Sequence, residues 1–432
     1  MRLSAYLNGA RVGWFEQRVD GAITLDFDDA WRRRAGRMEL SLSLPKSRRH
    51  HDGPAPGNYL WNLLPDNDEV LARWGRRFGV SPRNPMALLA NVGLDAAGAV
   101  QLLSSDDYDE PELSDDGGVE PIDETGIGDH LRELRKDRSA WIASDYDGGY
   151  FSLAGAQSKF TLARIGSGAW GLPTGGTPST HIVKPGVAGF ARSDLNEHLT
   201  MRAGHLLGLQ VAQSEVTQFD GETAIVVTRF DRARTREGGI VRRHQEDFAQ
   251  ATGTHPSAKY QNEGGPGIAE IGRLMRQYLG SGANDDVARF FTATLFNWAA
   301  LGTDAHAKNY ALVYSASRLR PPTLASLYDV GSALVYPEIN NRKARLAMSY
   351  AGHYRTFEIE PRHIVREAAQ LGLAEEWVID RARHLVDGLP GALSEAAHEA
   401  ALVGDDAEFA GRFIDRARER TVELSAQLAR RL

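Results

Sequence analysis

The 432-residue chain contains no cysteine, which removes disulfides, thiolate zinc sites and cysteine nucleophiles together. A reducing interior suits such a composition, and a cytoplasmic protein is expected. No N-terminal basic and apolar signal segment is present, and the longest uncharged apolar run, near Phe290, is too short to span a bilayer. No membrane contact is therefore expected. Positive charge is not in excess either: 50 Lys and Arg face 57 Asp and Glu, for a net charge of -7. A free-standing nucleic-acid binder needs clustered cations to neutralise phosphates, so DNA contact is expected only indirectly, through a partner. The rest is ordinary for a globular protein, with 42% hydrophobic and 25% charged residues and length enough for two or three cores.

The order of patterns along the chain is strand-rich front, helical back. Residues 1–103 mix short strands with polar turns and a helical stretch over Asp68 to Phe78. Residues 104–138 read as an acidic linker or loop, since Ser104 to Asp129 carries many acids and no Lys or Arg. Strands return over 139–230, with a hairpin signal at Asp220-Gly221. Residues 231–432 are mostly helical, ending in Glu408 to Leu432, where helical spacing of apolar and charged residues predicts a packed terminal helix. Arg48-Arg49-His50-His51-Asp52 reads as a solvated basic loop. An α+β, two-lobed enzyme with its site between the lobes fits this order.

The densest chemistry lies in Gly302-Thr303-Asp304-Ala305-His306-Ala307-Lys308-Asn309, followed about twenty residues on by Leu327-Tyr328-Asp329. Phosphoryl transfer asks a protein for one carboxylate near the acceptor hydroxyl and for oxygen ligands that hold Mg²⁺ on the ATP phosphates. Asp304 and Asn309 have the D-x-x-x-x-N spacing of a kinase catalytic loop, and Asp329 offers the second metal-binding carboxylate. The same pair alone also arises as helix caps and turn residues. Context favours the catalytic reading, because Phe291, Leu295 and Trp298 predict a buried helix that stops just before Asp304. Tyr310 to Tyr314 and Thr323 to Leu327 look like strands around Arg318 to Pro322, returning Asp329 to Asn309.

Two segments compete as the phosphate loop. Gly166-Ser167-Gly168-Ala169-Trp170-Gly171 matches G-x-G-x-x-G, yet it sits between two strands with no helix to follow, and is read as a hairpin turn. Ser152-Leu153-Ala154-Gly155-Ala156-Gln157-Ser158-Lys159 is preferred, since small residues let backbone N–H groups approach phosphates while Lys159 adds charge. Lys184 closes a β-branched strand, as does the Lys that reaches nucleotide phosphates in kinases; a solvated strand-end Lys is the alternative. Glu197 is a possible partner for it, although Asp194 and Glu197 equally fit a capping box. Thr228-Arg229-Phe230 falls where an adenine-binding hinge would lie, or a plain strand end.

Together these segments resemble the HipA family of serine/threonine kinases, the toxin half of bacterial toxin–antitoxin pairs. Trp61-Asn62-Leu63-Leu64-Pro65-Asp66, Gly93 to Val100, Ser152 to Lys159, Thr180 to Lys184, Arg229-Phe230-Asp231-Arg232, Gln245-Glu246-Asp247, Lys259-Tyr260, Gly264 to Gly267 and Thr303 to Asn309 follow it in order. The resemblance implies ATP and Mg²⁺ as cofactors, Asp304 as the catalytic residue, and Asn309 and Asp329 as metal ligands. It implies ATP contacts from Ala154, Gly155, Ala156, Gln157, Ser158 and Lys159, from Lys184, from Thr228, Arg229 and Phe230, and from His306, Ala307, Lys308, Asn309, Tyr328 and Asp329. It implies autophosphorylation at Ser152, which would push the loop away from ATP by charge repulsion, with Gly148, Gly149 and Gly155 easing the movement. Ser158 stands where a Glu is common and offers a second acceptor; Thr228 likewise replaces a common Glu. By the same resemblance the partners are a small DNA-binding antitoxin, HipB-like, and a protein substrate such as an aminoacyl-tRNA synthetase. A small-molecule or lipid kinase and a non-catalytic repressor-binding module are the other function classes.

Overall fold

The computed structural model describes residues 1–104, 117–144, 150–166, 168–315, 317 and 319–429. Gly148, Gly149, Ser167, Arg318 and residues 105–116 of the acidic stretch lie outside them. The chain divides into two compact units, one of residues 1–185, 217–258 and 311–322, the other of residues 186–216, 259–310 and 323–432.

The first unit is built on two antiparallel sheets. One runs, edge to edge, through His50–His51, Ile23–Phe27, Ala10–Gln17, Arg2–Leu7 and Val100–Ser104. The basic loop expected at Arg48 to Asp52 thus supplies an edge strand: His51 is buried and bonded to the Pro45 carbonyl at 3.1 Å, so only part of the segment is solvated. The other sheet runs through Glu222–Thr228, His181–Pro185, Phe160–Ile165, Ala169–Pro173 and Val119–Ile122. Asp220 and Gly221, at φ 45° and 84°, make the expected tight hairpin into Glu222. At the G-x-G-x-x-G match, whose Ser167 lies outside the described residues, Ile165 pairs with Ala169 across two antiparallel strands.

Part of the acidic stretch is regular structure. Val119–Ile122 pairs with Ala169–Pro173, and Glu124–Lys136 is a helix. Its acids serve the helix start: Asp123 caps the Gly126 N–H, Glu124 sits in the first turn, and Arg135 and Lys136 close the last, complementing the helix dipole. Ile127, Leu131 and Leu134 bury its apolar face. The Asp68–Phe78 helix has the expected bounds, capped by Asn67. Its Trp74 meets Phe151 edge-on at 6.4 Å, and Trp141 stacks on Phe151 at 6.3 Å. This aromatic cluster fixes the chain immediately before Ser152.

The second unit is mainly helical, with helices over Ser193–Leu206, Ile268–Tyr278, Ala283–Ala299, Pro361–Gln370, Glu375–Glu399 and Asp405–Leu428. Ala283–Ala299 is its core, burying Phe290, Phe291, Leu295 and Trp298. A hairpin of Arg345–Tyr350 and His353–Arg355, not expected from sequence, lies against it, with Tyr350 donating to Thr294 Oγ1 at 3.0 Å. The capping box read at Asp194 and Glu197 does not form. The helix begins two residues earlier, after Arg192 in the left-handed region, and both acids lie buried inside its first turns. Among the described residues no helix is long and apolar enough to cross a membrane.

Candidate active site

In the helical unit, the Ala283–Ala299 helix stops where the chain turns through Leu301 at φ 55°. Gly302 then packs on the helix end, its N–H donating to the Asn297 carbonyl at 2.7 Å. A Cβ on Gly302 would collide with the Asn297 side-chain oxygen, so this close approach requires glycine. Asn297 also donates to the Tyr310 hydroxyl at 3.0 Å. One buried residue, through its main-chain carbonyl and its side-chain amide, therefore pins both ends of the segment between.

Within that segment, His306 N–H donates to the Asp304 carbonyl at 2.8 Å and Asn309 N–H to the His306 carbonyl at 3.0 Å. Asp304 is left exposed while His306, Ala307, Lys308 and Asn309 are buried. The Tyr260 hydroxyl hydrogen-bonds the Asp304 carboxylate, and the Tyr260 ring meets His306 edge-on at 4.9 Å. Tyr260 stands 44 residues from Asp304; no spacing rule points to it.

Asp329 returns to this segment. Its neighbour Leu327 bonds both ways with the chain at 210–212, each at 2.8 Å. Asn309 Nδ2 donates to the Asp329 carbonyl at 3.2 Å, and the Tyr328 hydroxyl to the Lys308 carbonyl at 2.8 Å. Asp329 itself is a non-glycine residue at φ 58°. Such backbone strain persists only where the surroundings over-determine it, and here hydrogen bonds hold both flanks.

The remaining predicted residues belong to the strand-rich unit. Ser152 is fully buried, its N–H donating to the Asp95 carbonyl at 3.0 Å and its hydroxyl to the Leu63 carbonyl at 2.8 Å. The loop beyond it is tied to the same neighbourhood: Asp66 N–H donates to the Gly155 carbonyl at 2.9 Å, and Asn67 Nδ2 to the Ala156 carbonyl at 3.4 Å. Gly155 adopts φ 104°, where a Cβ would stand 2.6 Å from Lys159 Nζ. Lys159 folds back to donate to the Ala154 carbonyl at 2.7 Å, its Nζ 4.9 Å above the Trp141 ring. Gln157 reaches the Pro185 carbonyl at 3.4 Å, and Ser158 donates to the Arg138 carbonyl at 2.9 Å. Lys184 is buried on its strand opposite Ile225.

Arg229 departs from a simple hinge. Its N–H donates to the Thr180 carbonyl at 3.0 Å, and its guanidinium is buried in a bidentate pair with Asp231 at 3.0 and 2.8 Å. Arg232 bridges Asp231 and Asp95, at 3.0 and 2.9 Å. Burial alone would raise both carboxyls, but Arg229 and Arg232 outweigh it and hold Asp95 and Asp231 below the usual carboxylate range. Asp95 thus serves the ion network with its carboxylate and Ser152 with its carbonyl. The front-segment motifs at 61–66 and 93–100 act in this way, as anchors of the 152–159 loop, a role sequence reading did not assign.

Residues 3–103 match the HipA N-terminal domain and residues 151–393 the HipA-like C-terminal domain. A Sinorhizobium fredii protein assigned as a kinase is 33% identical over 414 residues, covering 96% of each chain. The Shewanella oneidensis serine/threonine-protein kinase toxin HipA is 29% identical over 359 residues, covering 80% of this chain and 78% of that one. In a solved complex of Shewanella oneidensis HipA with HipB and operator DNA, a chain shares the fold with a TM-score of 0.81 at 24% identity, over 99% of this chain and 98% of that chain. The protein is a serine/threonine protein kinase with the α+β fold of the protein-kinase type. It belongs to the HipA family.

Proposed function

We propose that this kinase transfers the γ-phosphoryl group of ATP to a protein hydroxyl, with Asp304 as the acceptor-orienting carboxylate, and that it is the toxin of a toxin–antitoxin pair. The observation that carries the reading is the exposed Asp304, held at the end of a buried helix, with Asn309 tied to Asp329 close by in the chain's fold. In the reaction the acceptor oxygen bonds the γ-phosphorus, the bond to the bridging oxygen breaks, ADP departs, and the hydroxyl proton passes to Asp304 and on to water.

Asn309 and Asp329 suit Mg²⁺. With Asn309 Nδ2 donating to Asp329, its Oδ1 is the end left to face a cation, and an Asp carboxylate completes an all-oxygen donor pair. An ion of this kind takes one or two protein ligands and leaves its other positions to water and phosphates. Bound there, the ion would supply neutralisation of phosphate charge. Lys184 and the N–H groups of 154–159 are assigned to the phosphates. Since the Arg229 N–H is engaged by Thr180, adenine contact at the hinge falls to the main chain of Thr228 and Phe230.

Ser152 is assigned as the autophosphorylated residue. A phosphate cannot be accommodated on a fully buried hydroxyl bonded to the Leu63 carbonyl, so modification requires the loop to leave its anchors at 63–67 and 95. By family, the partners are a HipB-like DNA-binding antitoxin, with DNA reached only through it, and an aminoacyl-tRNA synthetase as substrate. The Shewanella oneidensis complex with HipB and operator DNA supports the first. The test is the intact mass of phosphatase-treated protein after incubation with ATP and Mg²⁺, with peptide mapping and an Asp304→Ala control. Gain of one phosphoryl group at Ser152, absent from the control, is expected. No gain, or equal gain in the control, overturns the assignment; modification at Ser158 moves it to that residue.

A further inference from the structure

The helical unit contains a cavity of about 370 Å³, lined by neither Asp304 nor Asp329, between the segment 334–342, Phe357 and one face of the Asp405–Leu428 helix. That face presents Arg416, Glu419, Arg420 and Glu423, spaced i, i+3, i+4 and i+7. The volume is in the range of small-molecule sites.

Arg420 is the unusual member. It is 5% exposed, and its guanidinium donates to the Trp298 carbonyl at 3.1 Å, while its Nε is buried with no partner. Burial draws its pKa down to about 10, with the charge of Glu423 only partly opposing this. A buried guanidinium bonded to a main-chain carbonyl rather than paired with a carboxylate is an unsatisfied cation, and its fork matches phosphate or carboxylate oxygens. Asn341 lines the same cavity, and its side-chain oxygen is likewise buried without a partner. Arg342 lines the cavity from the solvent side. Leu334 and Ile339 add apolar lining, as does Phe357, which is 49% exposed.

We infer that this cavity binds a small organic anion, a phosphate monoester or carboxylate carried on a flat apolar group, with Arg420 taking the anionic end and Phe357 covering the apolar one. Glu419 and Glu423 line the same space, so their charge disfavours a polyanion such as ATP. The site is therefore distinct in selectivity from a kinase nucleotide site, and its test does not depend on phosphoryl transfer.

Isothermal titration of the full-length protein with phenyl phosphate, benzoate and inorganic phosphate reads this directly. Phenyl phosphate or benzoate should bind with unit stoichiometry, the tighter of the two naming the anion. Arg420→Lys, which keeps charge but loses the fork, should weaken binding about tenfold. Phe357→Ala, at an exposed position that folding tolerates, should weaken both ring-bearing probes about tenfold and leave inorganic phosphate unchanged; it decides alone if Arg420→Lys does not fold. Lys184→Ala should have no effect. No binding of either ring probe at millimolar concentration, or binding indifferent to Phe357→Ala, overturns the inference.

Discussion

Glu246 makes the strand-rich unit sensitive to pH in a direction opposite to that of most carboxylates. It is fully buried on the Gln245–Asp247 strand and accepts from Ser41 Oγ at 2.7 Å, the Leu42 N–H at 3.1 Å and the Tyr314 hydroxyl at 2.6 Å. Burial pushes its pKa from an ordinary 4.5 up to about 7, against the pull of those three donors. Between these values the folded protein holds a proton that the unfolded chain has lost, so stability falls as pH rises through the window and is flat above it. Two and a half pH units correspond to ~3 kcal/mol. Glu246→Gln keeps the shape and does not titrate. Urea unfolding of both proteins at pH 4.5 and pH 8 should show the stability of the variant, relative to wild type, rising by ~3 kcal/mol between the two. A difference unchanged by pH would refute the burial argument.

Other perturbations test other parts of the structure. Asp231→Asn removes a charge shared by Arg229 and Arg232 and should destabilise by ~3–5 kcal/mol, read as a lowered urea midpoint, because Asp95 alone is left to balance both buried guanidinium groups; a change below ~1 kcal/mol would count against the network. Gly302→Ala drives a Cβ into Asn297 and should lower kcat by about 100-fold through displacement of Asp304, measured as the initial rate of phosphoryl transfer at saturating ATP. Tyr260→Phe removes the hydroxyl bonded to Asp304 and should lower kcat about tenfold with KM for ATP unchanged. A rise in KM without loss of kcat would mean that Tyr260 serves binding rather than orientation of the carboxylate.

Elements with strong local signals were legible in the sequence. The Asp68–Phe78 helix, the Asp220-Gly221 hairpin and the buried helix before Asp304 are each encoded by periodicity or turn chemistry over a dozen residues or fewer. So was the return of Asp329 to Asn309, through spacing and the intervening strands. What could not be read depends on distant pairing. Tyr260 reaches Asp304 across 44 residues, and Ser152 is held by Leu63 and Asp95 from the front segment. The Arg229 side chain looked like part of a hinge because two of its partners besides Asp231, namely Asp95 and Ser179, are far from it in sequence. Acid-rich residues 119–136 resembled a loop in composition, although Asp123 and Glu124 are there to start a helix. Asp194 and Glu197 misled in the other direction, since a capping spacing says nothing about which residue the helix starts from.

Single-turnover transfer from γ-labelled ATP, run beside nucleotide-binding titrations for wild type, Asp304→Asn and Asp329→Asn, tests the proposed chemistry most directly. The account predicts that Asp304→Asn binds Mg²⁺-ATP as wild type does yet transfers at least about 1,000-fold more slowly, whereas Asp329→Asn loses Mg²⁺-dependent affinity as well as rate. Transfer by Asp304→Asn within a few-fold of wild type would contradict it, because the acceptor would then be oriented by some other group.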